Sequence, residues 1–138
     1  MWNAYQRNMA VSKSSLSAGE LIRAVLIEDA EVSRRINNVF PVVIEDKAIL
    51  PYIVYRRAQL EKGLVKNQRG NDTVTMQIQC FTEGYTEGVE LAEAVRDALD
   101  GVQIEHEGLT MRACDLSDSE EAWTDDAYVQ TLIFSCKM

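Results

Sequence analysis

The chain has 138 residues, 46% of them hydrophobic, a length and composition suited to one domain with its own core. No apolar run is long enough for a membrane-crossing helix, and Met1 to Ala10 lacks the apolar stretch of a secretion signal. The formal charge of −8 speaks against tight binding to a nucleic-acid backbone, yet residues 1–70 carry 11 Lys+Arg against 7 Asp+Glu, whereas residues 71–138 carry 3 against 15.

Residues 1–16 are polar and aperiodic and are expected to form a flexible arm before one domain over 17–138. Ser17-Ala-Gly-Glu20 has the spacing of a capping box. Behind it Ala18, Leu21, Ile22, Val25 and Leu26 share a helical face, which predicts a helix over Ser17 to Glu28. Asp29 is placed to cap a short further turn with Val32 and Ile36 inward, and Asn37-Asn38 ends it. Val39 to Glu45 reads as a strand interrupted by Pro41, and Ile49 to Arg57 as a stronger one with Pro51 at its start or on an edge. Ala58 to Asp72 is polar and reads as a long connection, and the segment Arg57–Asp72 is expected to be mobile in the free subunit and ordered against a neighbour.

Val74, Met76, Ile78 and Cys80 alternate with polar residues, the mark of a half-buried strand. The period then changes: Tyr85, Val89, Ala92, Val95 or Arg96, and Leu99 recur at helical spacing, and Asp100-Gly101 stops the helix. Val102 to Glu105 and Leu109 to Cys114 predict a hairpin around Glu105-His-Glu-Gly108. Asp115 to Asp126 reads as an acidic loop, and Tyr128 to Cys136 as a final strand. Helices and strands are mixed without strict alternation, which points to an α+β fold: a mostly antiparallel sheet covered on one face by two main helices. Its expected core is Leu21, Ile22, Val25, Leu26, Ile53, Met76, Ile78, Val89, Ala92, Leu132 and Phe134.

Catalytic chemistry is scarce. His106 is the sole histidine, flanked by Glu105 and Glu107, but a general base needs a nucleophile or substrate pocket that nothing here supplies. The acidic loop lacks the glycine and spacing of a calcium loop. Cys80, Cys114 and Cys136 are widely spaced without a Cys-x-x-Cys pair, so they read as buried free thiols rather than zinc ligands, in a reducing cytoplasmic setting. No phosphate-binding, nucleophile-elbow or zinc-protease motif occurs. The chain is therefore read as a non-enzyme without metal or cofactor.

What remains is surface. Glu83, Glu87, Glu90, Glu93 and Asp97 form an acidic helix stripe; Arg56, Arg57, Lys62, Lys66 and Arg69 form a basic segment. A solvated face explains either alone. Together, as contacts between copies, Arg56, Arg57, Lys62, Lys66 and Arg69 would face Glu87, Glu90 and Asp97, with Trp123 as an aromatic anchor.

Val39-Phe-Pro41, Leu50-Pro-Tyr-Ile-Val-Tyr55, the strand through Gln77-Ile-Gln-Cys-Phe81, Glu83-Gly-Tyr-Thr-Glu-Gly88 and the helix Leu91-Ala-Glu-Ala-Val-Arg-Asp-Ala-Leu99 together resemble the phage tail-completion proteins, also called tail terminators, of siphophage (lambda-like) type. The resemblance runs over about residues 17–136; the N-terminal arm and the acidic 115–126 segment depart from it. It implies a structural subunit of a hexameric ring on the head-proximal end of the tail tube, made in the host cytoplasm, from a phage or prophage. The implied partners are further copies of the chain, the tail tube protein and the head-completion or connector protein, with no membrane and no sequence-specific nucleic acid. Solution mass separates the ring from the alternative of a small dimeric ligand-binding or regulatory α+β module. A further alternative is a hydrolase using His106 and the acidic loop.

Overall fold

The computed structural model describes residues 11–63 and 71–138. Its elements are α1 (Ala18–Glu28), α2 (Ala30–Ser33), β1 (Asn38–Pro41), β2 (Tyr52–Glu61), β3 (Thr73–Thr82), α3 (Tyr85–Leu99), β4 (Ile104–His106), β5 (Leu109–Met111), β6 (Ala113–Thr124) and β7 (Ala127–Lys137). Five strands form one sheet in the order β1-β2-β3-β7-β6, with β4 and β5 pairing separately. β1 runs parallel to β2; every other neighbouring pair is antiparallel. The fold is thus the expected α+β one.

Alternation places the sheet against its helices. β3 buries Val74, Met76, Ile78, Cys80 and Thr82, every second residue, because successive strand side chains point to opposite faces. Register carries that face outward: Tyr55 lies opposite Ile78, and Leu132 and Phe134 lie opposite Ile78 and Met76. These side chains meet Leu21, Ile22 and Leu26 of α1 and Leu91, Val95 and Leu99 of α3 in one core. α1 packs over β2 and β1, and α3 over β7 and β3.

Five expectations need correction. The capping box does not form: Ser17 makes no side-chain cap bond, since it sits at φ −93°, ψ 13° at the end of a 3-10 turn over Ser15–Ser17. Ser14 caps that turn instead, its Oγ accepting the Leu16 N–H at 3.3 Å, and Glu20 accepts from Lys13. The connection read from Ala58 is shorter, because β2 continues to Glu61 across a register shift between Arg57 and Gln59. Conversely, the strand read over Val39 to Glu45 stops at Pro41.

The acidic loop is not a loop. Asp115 to Thr124 belong to edge strand β6, paired with β7 along its length. Asp125 and Asp126 alone make the turn, both with positive φ (50° and 62°). That pairing of left-handed residues is the tight hairpin turn whose twist matches its strands, and Asp tolerates it. The strand hides in the sequence because Ser117 to Thr124 are exposed on both faces, so no alternation survives.

Finally, α3 is rotated from its expected phase. Gly88, Leu91, Ala94, Val95 and Leu99 are buried, while Tyr85 is exposed and Val89 and Ala92 are half-buried. Gly88 sets this phase: a Cβ there would lie 2.7 Å from Thr82 Oγ1 and 3.7 Å from Gln130 Cγ, so the helix comes closest to the sheet where it has no side chain. Asp29 behaves as expected, its Oδ1 accepting the Glu31 and Val32 N–H groups at 3.0 Å.

Candidate assembly surfaces

The strand order turns an asymmetry of sequence into one of space. β1 and β2 come from residues 1–70, with Arg56, Arg57 and Lys62 on or just beyond β2, whereas α3, β6 and the β6–β7 turn on the other side of the sheet carry most of the acidic residues of 71–138; Glu105 and Glu107 are exceptions, on the β4–β5 hairpin against α1. α3 belongs to the second side, with Glu87, Glu90 and Asp97 all exposed on it. Asp115, Asp118, Glu120, Glu121, Asp125 and Asp126 extend the acidic surface along β6 and its turn, all exposed.

The basic residues are less unified than their spacing suggests. Arg56 and Arg57 are neighbours on β2, so their side chains leave opposite faces of the sheet. Arg56 Nη2 donates to Gln77 Oε1 at 3.1 Å on the face away from the helices. Arg57 Nη1 donates to the Leu16 carbonyl at 2.9 Å, tying β2 to the segment before α1. Lys62 is exposed just beyond β2. Lys66 and Arg69 lie outside the described residues, as does most of the segment expected to order on assembly.

Trp123 stands near the tip of the β6–β7 hairpin with 57% of its surface exposed. Its ring meets Tyr128 edge-on at 4.8 Å, and Tyr128 meets Tyr85 at 5.8 Å. Glu121 organises the cluster: Tyr85 Oη donates to it at 3.0 Å and Gln130 Nε2 at 2.8 Å. The Tyr85 hydroxyl is held above its ordinary range, because it donates to a carboxylate whose charge opposes its ionisation. Trp123 is thus braced on one side and open on the other.

An apolar loop escaped the sequence reading. Val42, Val43, Ile44 and Ile49 are 65%, 69%, 41% and 73% exposed. The loop leaves β1 with the Val42 N–H donating to the Tyr55 carbonyl at 2.8 Å, and it returns where Asn37 Nδ2 donates to the Ile49 and Leu50 carbonyls. Pro41 was the available signal: a strand ending there leaves the β-branched residues after it without a sheet to cover them.

His106 is half-exposed, with Nε2 at 3.9 Å from Glu107 Oε1, and Glu107 is itself held by Lys13 Nζ at 2.7 Å. Lys13 lowers the Glu107 carboxyl below its usual range. No group of three or more His, Cys, Asp and Glu suited to a metal occurs among the described residues. A cleft of about 490 Å³ lies between Val11, Lys13, Leu16, Gly19, Glu20 and Tyr55. The Lys13–Glu20 ion pair crosses its lining at 3.0 Å, and the cleft lies open to solvent, unlike a pocket that encloses its ligand. All three cysteines are buried and free; Cys114 and Cys136 face each other across β6 and β7 with sulfurs 3.7 Å apart.

The model of the family described as "Tail completion protein gp17" matches residues 20–133. No curated protein matches the sequence. A chain from the structure described as "Virion of native gene transfer agent (GTA) particle" superposes with a TM-score of 0.78 at 18% identity, covering 90% of this chain and 98% of that chain. A second solved chain superposes with a TM-score of 0.53 at 11% identity, covering 87% of this chain and 96% of that one. At such identities the likeness is one of fold.

Proposed function

The chain belongs to the tail completion protein gp17 family, structural proteins of phage tails rather than enzymes, and on that premise we propose that it is the ring subunit that caps the head-proximal end of the tail tube. Copies associate head to tail around an axis, forming a hexameric ring that ends tube growth and offers a surface to the head-completion or connector protein. The domain over residues 17–138 forms the ring, preceded by the arm over 1–16. Assembly takes place in the host cytoplasm before the ring is carried on the virion.

The observation that carries this reading is the strand order, which sets β2, with Arg56, Arg57 and Lys62, apart from the acidic edge strand β6 and its turn across one sheet. Opposite charges on two different faces favour a heterologous contact, which closes into a ring, over a self-complementary dimer. Arg56, Lys62, Lys66 and Arg69 face Glu87, Glu90 and Asp97 of the next copy, and Arg57 supports them through its bond to Leu16. Light scattering of the protein alone and electron microscopy of tails assembled with it test the ring. Reversal of Arg56, Lys62 and Lys66 to Glu should weaken assembly and flatten its salt dependence, because a screened attraction is removed. Reversal of Glu87, Glu90 and Asp97 to Lys should restore it. A compact dimer at every concentration, or a triple reversal that assembles like wild type, overturns the reading.

A further inference from the structure

Exposed charge pairs contribute little to association, about 0–1 kcal/mol each, so a ring held by this chain needs an apolar anchor at its contact. Two features supply one. At one side of the sheet, the loop after β1 holds Val42, Val43, Ile44 and Ile49 in solvent. At the other, the β6–β7 hairpin presents Trp123, braced by Tyr128, with the exposed Glu120, Glu121, Asp125 and Asp126 as its neighbours along the hairpin.

From this arrangement we propose that Trp123 of one copy seats on the Val42–Ile44 loop of the next copy. The inference rests on the ring reading above. Position supports it: β1 and β6 are the two edges of a single sheet, so a contact joining them uses different surfaces of each copy and repeats around an axis. Chemistry supports it as well. Trp is among the residues enriched at the buried centres of interfaces, and an apolar loop can desolvate it. Charge flanks both halves: Val42 hydrogen-bonds to Tyr55, so Arg56 follows directly beside the loop, and Glu120, Glu121, Asp125 and Asp126 border the Trp. Glu45 and Asp46 lie at the loop's far end, with Lys47 between them and Ile49. The backbone adds a constraint, since Val42 stands at φ 64°, a conformation that β-branched residues rarely adopt. The loop therefore holds its aliphatic side chains outward at a conformational cost.

Photo-crosslinking tests the seat. Val43 is replaced by benzoylphenylalanine in isotope-labelled protein, mixed with unlabelled protein, assembled on tails and irradiated. Mass spectrometry should find mixed adducts joining residue 43 to the peptide containing Trp123. Adducts to another part of a second copy, to the same copy or to the tube protein overturn the proposal while leaving the ring intact. Absence of a closed ring in electron microscopy of the unmodified assembly overturns the ring reading itself. As a second measurement, Val43→Asp and Trp123→Ala, each with wild-type circular dichroism, should each raise the concentration needed for assembly at least tenfold. Combining them should raise it no further than the larger single effect. Full additivity of the two, or a Trp123→Ala protein that assembles normally, overturns the pairing.

Discussion

At the residue scale, buried thiols govern the alkaline limit. Burial pushes Cys80 up to about 12 from its ordinary value near 9, and Cys114 is driven higher by its bond to Cys136 and by burial. Both stay protonated in the folded state where the unfolded chain ionises. Their contribution is therefore complete below about pH 9 and is lost as pH rises toward 12. Denaturant melts at pH 8 and pH 10.5 should show the midpoint falling, and thiol reagents should label the native protein only as fast as it opens. Asp100 acts at the other end of the scale. Its Oδ1 accepts the Leu116 N–H at 2.8 Å and its Oδ2 meets Arg96, which together hold its carboxyl below the ordinary range. That contribution is present at neutral pH and lost as pH falls through the depressed value. Asp100→Ala should lower the melting temperature at pH 7 more than at pH 3. His106 carries no such network, and His106→Ala should leave melting and assembly unchanged.

At the element scale, the core strands and α3 set the stability. Ile78 and Phe134 are fully buried at the centre of the sheet. Truncating either to Ala should cost about 2–5 kcal/mol in a denaturant melt, from lost burial and the cavity left behind. Gly88→Val should also destabilise, since its side chain would meet Thr82 Oγ1, which donates to the Gly84 carbonyl at 2.8 Å. What could be read in advance follows from how strongly each element is patterned. β3 and α1 are two-sided, one face buried and one wet, so their periods were legible. β6 is wet on both faces over its outer half, so its only marker was the Asp125–Asp126 turn, which looks like any acidic stretch. The phase of α3 was missed because its closest approach is at a glycine, which contributes nothing to an apolar count. Among the surface residues, Trp123 and the acidic helix face were legible as exposed outliers. The separation of Arg56 from Arg57 also follows from alternation along the Ile49–Arg57 strand, whereas the continuation of β2 to Glu61 was hidden by its polar residues.

At the scale of the whole molecule, charge asymmetry along the chain becomes polarity across the sheet. That conversion requires strands from the two halves of the sequence to stay on their own sides, with β3 between them. Raising salt from about 50 to 500 mM should therefore weaken assembly by shortening the screening length, but should leave the isolated subunit's melting temperature nearly unchanged. A thermal shift series and light scattering on one sample check both halves of that statement.

β7 is synthesised after every other strand of this sheet, yet it lies inside the sheet, between β3 and β6. Until residues 127–137 have left the ribosome, β3 has an open edge and β6 has nothing to pair with. The nascent chain can bring α1, β1, β2 and β3 together early, but no partial product carries the complete acidic side. Translation thus imposes an order of events: a subunit becomes competent to join its neighbours only once its chain has been read through to β7, and truncated products are left without the hairpin that the next copy would grip.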